Sequence, residues 1–263
     1  VQVKAKKHLG QHFLTDQNIA KNIVDALVQA KTTPVVLEVG AGMGVLTKFL
    51  LNEPTCETWA VEIDAESVSY LMANYPQLSE RLITESFLTL DFSKLGSHSI
   101  NIIGNFPYNI SSQIVFKIID NFEMVPLVVG MFQKEVAQRL AAPAGNKDYG
   151  ILSVITQAYY SVEYLFTVHE HVFSPPPKVK SAVVKLTAKT ELPACNMVLF
   201  KKVVKTAFNQ RRKKLRNALS VFGATNEYLE PFDIKRAEEL SVQDFCLLTN
   251  KIEQFIHGGN TSK

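Results

Sequence analysis

The stretch Val35-Val-Leu-Glu-Val-Gly-Ala-Gly-Met-Gly-Val45 decides the fold. Its first five residues form a short, mostly β-branched apolar run, the pattern of a strand buried on both faces of a parallel sheet. Glycines follow at 40, 42 and 44, and a helical run is expected from Val45 to Leu51. Strand, Gly-rich turn and helix is the arrangement that lets a backbone approach a nucleotide-like ligand. The dehydrogenase fingerprint needs Gly at its sixth position, where this chain has Val45. The stretch therefore points to an α/β nucleotide-binding sheet and fits a nicotinamide dehydrogenase poorly.

Working outward, Thr58–Ile63 reads as the next strand and brings Glu62 to its end, 18 residues after Gly44. A carboxylate there can take both hydroxyls of a ribose, or it can serve as a surface acid near a helix start that Asp64 caps. Leu82–Thr84 is a third short strand, and Glu85-Ser86-Phe87 falls where an adenine edge would be read. Ile100–Ile103 is a fourth, expected to stop at Gly104. Leu127–Phe132 is a fifth, with a helix over Lys134–Leu140. Tyr160–Val168 and Ala182–Leu186 are two further strands. Upstream, Asp16 is placed to cap a helix carrying Ile19, Ile23, Leu27 and Ala30 at helical spacing. Strands alternating with helices, then a late strand pair, predict an open Rossmann-like α/β sheet with helices on both faces.

The chemistry concentrates in Ile103-Gly-Asn-Phe-Pro-Tyr-Asn109, at the carboxyl end of the fourth strand. A turn through Pro107 leads to a helix for which Ser111 or Ser112 is the N-cap. The Asn105 side-chain oxygen and the Pro107 carbonyl, expected to keep no local N–H partner, can accept two bonds from a planar amino group. The Tyr108 ring can stack on the base that carries it. An ordinary strand-ending turn with a packed Tyr fits the same residues.

Phe173-Ser-Pro-Pro-Pro-Lys-Val-Lys-Ser181 is a loop held extended by three prolines. Phe173 is either presented to a base or anchored in the core. Pro193 marks an expected boundary between a domain of residues 1–192, with a basic N-terminal arm, and a small helical domain of residues 193–263. Helices are expected near 197–208, 211–221, 233–240 and 242–256. Residues 173–216 hold twelve Lys or Arg and one acid, a local charge of +11 in a chain of net +3, which leaves −8 elsewhere. Such a block offers itself to a polyanion, and Phe208-Asn-Gln-Arg-Arg-Lys-Lys-Leu-Arg-Asn217 is its densest part. The RNA contacts expected are Lys4, Lys6, Lys7, Lys178, Arg211, Arg212, Lys213, Lys214 and Arg216.

Cys56, Cys195 and Cys246 are odd in number and widely spaced, which gives no metal spacing and fits a reducing compartment. No apolar run reaches the length of a bilayer span and no signal peptide is evident. A monomeric cytoplasmic protein that uses neither metal nor membrane is expected.

Gly10-Gln-His-Phe-Leu14, Glu38-Val-Gly-Ala-Gly42, Val61-Glu-Ile-Asp64, Gly104-Asn-Phe-Pro-Tyr-Asn109, the 173–181 loop and Phe208-Asn-Gln-Arg-Arg212 together resemble the KsgA family, over about residues 4–256. These are small-subunit rRNA adenine N6,N6-dimethyltransferases. The resemblance implies a class I methyltransferase fold that uses S-adenosylmethionine. His12 and Leu14 would line the cofactor from the arm, and Gly40 and Gly42 would lie against its amino-acid portion. Glu62 would hold the ribose, and Ser86 would occupy the adenine-reading place. Asn105, beside the cofactor, would hold the target adenine with Pro107 and Tyr108, and Phe173 would help to stack it. The implied substrate is a pair of adjacent adenosines in the 3′-terminal hairpin of small-subunit rRNA, in an assembling small subunit. Two departures stand out: the family often has Asn where this chain has His12, and commonly Asp where it has Ser86. A large-subunit rRNA adenine methyltransferase with related motifs, and a ribosome-assembly binding factor with secondary catalysis, are the alternatives.

Overall fold

The structure, a computed structural model, describes residues 3–96 and 99–258. The chain divides into two compact units. One runs to Ala137 and includes Ser161–Ala188; the other is Gln138–Tyr160 with the chain from Lys189 on. The helical unit thus takes in an internal segment as well as the C-terminal one.

The first unit is built on β1 (Phe13–Leu14), α1 (Gln17–Val28), β2 (Val35–Val39), α2 (Thr47–Leu51), β3 (Glu57–Val61), α3 (Ala65–Asn74), β4 (Leu82–Ile83), β5 (Asn101–Asn105), α4 (Ser111–Asp120), β6 (Leu127–Gln133), the start of α5 (Lys134–Ala141), β7 (Tyr160–Val168), β8 (Phe173–Ser174) and β9 (Ser181–Ala188). Seven strands form one sheet in the order β4-β3-β2-β5-β6-β9-β7, while β1 and β8 pair separately. Neighbours from β4 to β6 are parallel, and β9 runs antiparallel to β6. All five residues of β2 are buried, as its apolar run requires at the centre of a sheet. The Asp16 carboxylate accepts from the N–H groups of Asn18 and Ile19 and starts α1, whose buried face is Ala20, Ile23, Val24 and Leu27.

Two local expectations change. β5 does not stop at Gly104: Gly104 and Asn105 stay paired with Gly130 and Met131, so the strand ends on Asn105. The helix after the glycines begins at Thr47, not Val45, because residues 42–46 are taken up in turns.

The second unit contains α6 (Ile151–Tyr159), α7 (Met197–Asn209), α8 (Leu215–Ala218), α9 (Asn226–Leu229) and α10 (Val242–Gly258). Phe208 and Phe245 meet at 5.9 Å between ring centroids in its core, with Phe200 6.5 Å from Phe245. The helix expected over 211–221 shrinks to α8 and a 3-10 turn at Ser220–Phe222, because Lys214 is extended and Gly223 (φ +75°) ends the turn. The one expected over 233–240 is a 3-10 turn at Ala237–Glu239. No membrane-crossing helix, long and apolar enough to span, occurs among the described residues.

Candidate active site

The sheet order reverses between β2 and β5, since β3 and β4 lie to one side and β6 to the other. Ligands of open α/β sheets bind at the carboxyl ends of strands flanking such a switch. A cavity of about 240 Å3 lies there, lined by the turns after β2, β3, β4 and β5 and by the arm residues Leu9–Phe13.

Gly40, Gly42, Glu62, Ser86, Asn105, Pro107, Tyr108 and His12 all reach this cavity. Gly42 has φ +55°, and a Cβ there would come within 3.0 Å of the Phe13 ring, so only glycine leaves the arm seated against the loop. Glu62 is buried; its Oε1 accepts from the N–H groups of Ile63 and Asp64 at 2.8 Å each, and its Oε2 from Gly42 at 2.9 Å. Oε2 therefore keeps an acceptor position for a ligand hydroxyl. The Ser86 hydroxyl accepts from the Leu88 N–H at 3.3 Å.

The Asn105 amide nitrogen donates to the His12 carbonyl at 2.8 Å, which turns Oδ1 the other way. The Pro107 carbonyl, expected from the sequence to keep no local N–H partner, has one: the helix-entry turn brings the Ile110 N–H to 3.3 Å. That bond occupies one of its two lone pairs. The Tyr108 hydroxyl is hydrogen-bonded to Ser181 Oγ, and its ring lies 5.2 Å from the His12 ring. Burial raises the Tyr108 hydroxyl above its usual pKa against the opposing pull of Ser181. His12 Nδ1 lies 2.9 Å from the Pro175 carbonyl and, as its donor, leaves Nε2 as an acceptor.

Two expected site residues do not line the main cavity. Leu14 and Phe173 are cross-strand partners in the β1–β8 pair, and both are buried in one core cluster with Ile23 and Leu27. Leu14 lines a small cavity of about 30 Å3 that shares Phe13, Gly40, Gly42 and Asn105 with the main one, and Phe173 lines neither. At the start of the proline-rich loop, Phe173 packs into the core cluster. The small cavity is also lined by Glu38, which is 1% exposed and accepts from Thr47 Oγ1 at 2.5 Å. Burial pushes the Glu38 carboxyl up to about 8, against the Thr47 bond and with help from the nearby Glu62 charge.

The basic residues also divide. Lys4, Lys7, Lys178, Arg212, Lys213, Lys214 and Arg216 are exposed. Lys6 is not an open cation: it pairs with Asp64 and lies 3.4 Å from Glu66. Arg211 is held inside the helical unit, with Nε on Glu238 and an Nη on the Lys147 carbonyl at 2.8 Å. Ile63, Leu88 and Leu9 line the cavity without a signal of their own in the sequence; they are apolar neighbours of the polar residues that mark the turns.

The family model for ribosomal RNA adenine dimethylase matches residues 2–254. A protein of Cytophaga hutchinsonii named ribosomal RNA small subunit methyltransferase A is 55% identical over 253 residues, covering 95% of this chain and 98% of its own. A protein of the same name in Flavobacterium johnsoniae is 55% identical over 256 residues, covering 95% and 97%. Among solved structures, a dimethyladenosine transferase from Plasmodium falciparum superposes with TM-score 0.77 at 26% identity, covering 92% of this chain and 98% of that one. The 23S rRNA methyltransferase ErmE shares the fold, with TM-score 0.68 at 20% identity over 92% of this chain and 100% of that one.

Proposed function

The chain belongs to the ribosomal RNA adenine dimethylase family, and from this we propose that it methylates N6 of two adjacent adenosines in the 3′-terminal hairpin of small-subunit rRNA. The product is N6,N6-dimethyladenosine, and S-adenosylmethionine is the methyl donor. The substrate is an assembling small subunit, met in the cytoplasm by a monomer. The unit that runs to Ala137 and includes Ser161–Ala188 is the methyltransferase domain, and the helical unit binds RNA. The observation that carries this reading is the placement of Asn105, Pro107 and Tyr108 on the rim of the switch-point cavity.

The residues present fit S-adenosylmethionine. A buried carboxylate keeps an acceptor for a ribose, the glycine turn leaves the backbone open to the cavity, and Ile63 and Leu88 supply apolar walls for a purine. Gly40 and Gly42 would lie along its amino-acid portion, Ser86 beside its adenine, and His12 and Asn105 near its middle. When bound, it supplies a methyl group already activated on a sulfonium.

The adenine amino group is a poor nucleophile because its lone pair is delocalised into the ring. Asn105 Oδ1 and the remaining lone pair of the Pro107 carbonyl accept its two N–H bonds and draw the nitrogen out of conjugation. Tyr108 holds the base by stacking, which offsets the cost of extruding it from RNA. Positioning supplies most of the catalysis, and the proton released on methylation passes to water without a general base. Asn105→Ala is expected to lower turnover at least 100-fold while rRNA affinity changes less than about three-fold. Unchanged turnover would remove Asn105 from the mechanism.

The overall test is labelled methyl transfer to unmethylated small subunits, with large subunits in parallel and nuclease digestion of the product. Label recovered as N6,N6-dimethyladenosine from small subunits alone is the expected result. Label in large subunits would favour a large-subunit enzyme, and binding without label an assembly factor.

A further inference from the structure

The turn after β3 holds a second buried carboxylate. Asp64 is 2% exposed. It accepts from Ser67 Oγ at 2.9 Å and from Gln11 Nε2 at 3.5 Å, and it forms an ion pair with Lys6. Glu66, in the first turn of α3, adds an acceptor for the Lys4 N–H at 3.2 Å. Gln11 also accepts from the Lys6 N–H at 2.8 Å, so the arm closes on itself at this point. At its other side the arm is fastened to the turn after β5. Asn109 donates to the His8 carbonyl at 3.1 Å and Asn105 to the His12 carbonyl at 2.8 Å. Leu9–Phe13, between these fastenings, line the cavity. The arm therefore crosses the mouth of the site and is pinned on both banks. On the β3 side the pin is ionic, and its backbone N–H also orients Glu62.

We propose that Asp64 is a positioning residue, whose pairing with Lys6 and Gln11 latches the arm across the cavity and retains S-adenosylmethionine there. This rests on the reading of the cavity as the cofactor site. A buried carboxylate is costly without a counter-charge, so the exposed alternative for Lys6, free in solvent or on RNA, leaves Asp64 with the neutral Ser67 bond and no cation. Closure of the arm is thereby favoured by a contact that no cofactor atom has to make.

The test measures S-adenosylhomocysteine affinity by calorimetry, and turnover with small subunits, on the full chain. Asp64→Asn and Lys6→Met should each weaken binding and raise the cofactor KM about ten-fold, with kcat within two-fold of the parent. The double variant should be no worse than either single change, as for two halves of one contact. Lys6→Arg should restore parental affinity. Trypsin should cut after Lys7 faster in both weakened variants. Unchanged affinity, additive losses, or a fall in kcat with KM preserved would overturn the latch. If Asp64→Asn melts at a markedly lower temperature, Lys6→Met, on the arm itself, decides alone. Glu62→Ala separates the two readings: if it also leaves binding intact, the cofactor-site reading fails with the latch; if it abolishes binding while Lys6→Met does not, the latch alone fails.

Discussion

Glu38 sits in the middle of β2, where all its strand neighbours are buried and apolar. A carboxylate there is costly when ionised, which is why its pKa is pushed from an ordinary 4.5 to about 8. In the folded protein the proton is therefore held through a range in which the unfolded chain gives it up. The contribution to stability is complete below about pH 4.5, falls as pH rises toward 8, and then levels off. Glu38→Gln cannot titrate. Urea unfolding at pH 5 and pH 8 should show the parent losing on the order of 2–4 kcal/mol relative to the Gln variant. A constant difference would mean that Glu38 titrates normally. Ser86 gives a second prediction at this scale. Its hydroxyl already takes the Leu88 N–H, a bond that an aspartate can also make. Ser86→Asp should tighten cofactor binding by about 1–2 kcal/mol, through a charge-assisted bond to the adenine amino group. Equal affinities by calorimetry would refute it. Polar residues at strand ends were readable in the sequence because their positions follow from strand boundaries. Phe173 was not, since an aromatic beside prolines packs inward or outward according to a pairing, here with Leu14, that local pattern does not encode.

Elements that bury a short apolar run, such as β2 and β6, were legible directly, and β7 runs from Tyr160 to Val168 as the pattern predicts. Others depended on contacts far away in sequence. Ile151–Tyr159 was not expected as a helix, yet it forms α6: its short, mostly apolar run, with Ser153 to Thr156 all buried, reads equally as a strand. The turn after β5 has a similar hidden support. Phe106 is 1% exposed and packs edge-on against Phe132 at 5.0 Å. Its ring lies against Gly104 and Gly130, paired residues of β5 and β6. A Cβ on Gly130 would come within 2.3 Å of that ring, which is enclosed and has nowhere to retreat. Gly130→Ala should therefore destabilise the protein by about 1–3 kcal/mol and lift Phe106 from its seat. Because Asn105 and Pro107 flank Phe106, turnover should fall at temperatures where the variant remains folded. Gly130→Ala with Phe106→Leu should recover part of the melting temperature. A fully stable and fully active Gly130→Ala enzyme would show that the seat does not hold the turn.

At the scale of the whole molecule, charge is unevenly distributed along the chain. Residues 173–216 hold +11 while the rest of the chain holds −8. A count of this kind locates the most basic segment but cannot separate cations committed to partners within the chain from open ones. Within it, Lys185 pairs with Glu163 at 2.6 Å, Lys189 donates to the Gln157 carbonyl at 2.6 Å, and Arg211 is tied to Glu238. Arg212, Lys213, Lys214 and Arg216 remain exposed around the buried Leu215, which anchors the segment and leaves these side chains in solvent. Phosphate contacts made by such residues release counterions. Each one lost should lower the slope of log affinity against log salt by about 0.7–0.9. Replacing all four with Gln is therefore expected to reduce that slope by about three for the 3′-terminal rRNA hairpin, with methyl transfer at saturating RNA little changed. Arg211→Gln is the matching control. Its guanidinium is already committed to Glu238 and the Lys147 carbonyl, so the change should leave the salt slope near the parent's. If the four-residue variant kept the parental slope, the exposed cations would be solubilising the helical unit and the RNA would be held elsewhere. If Arg211→Gln changed the slope as much as the others together, its pairing with Glu238 would have to open on RNA.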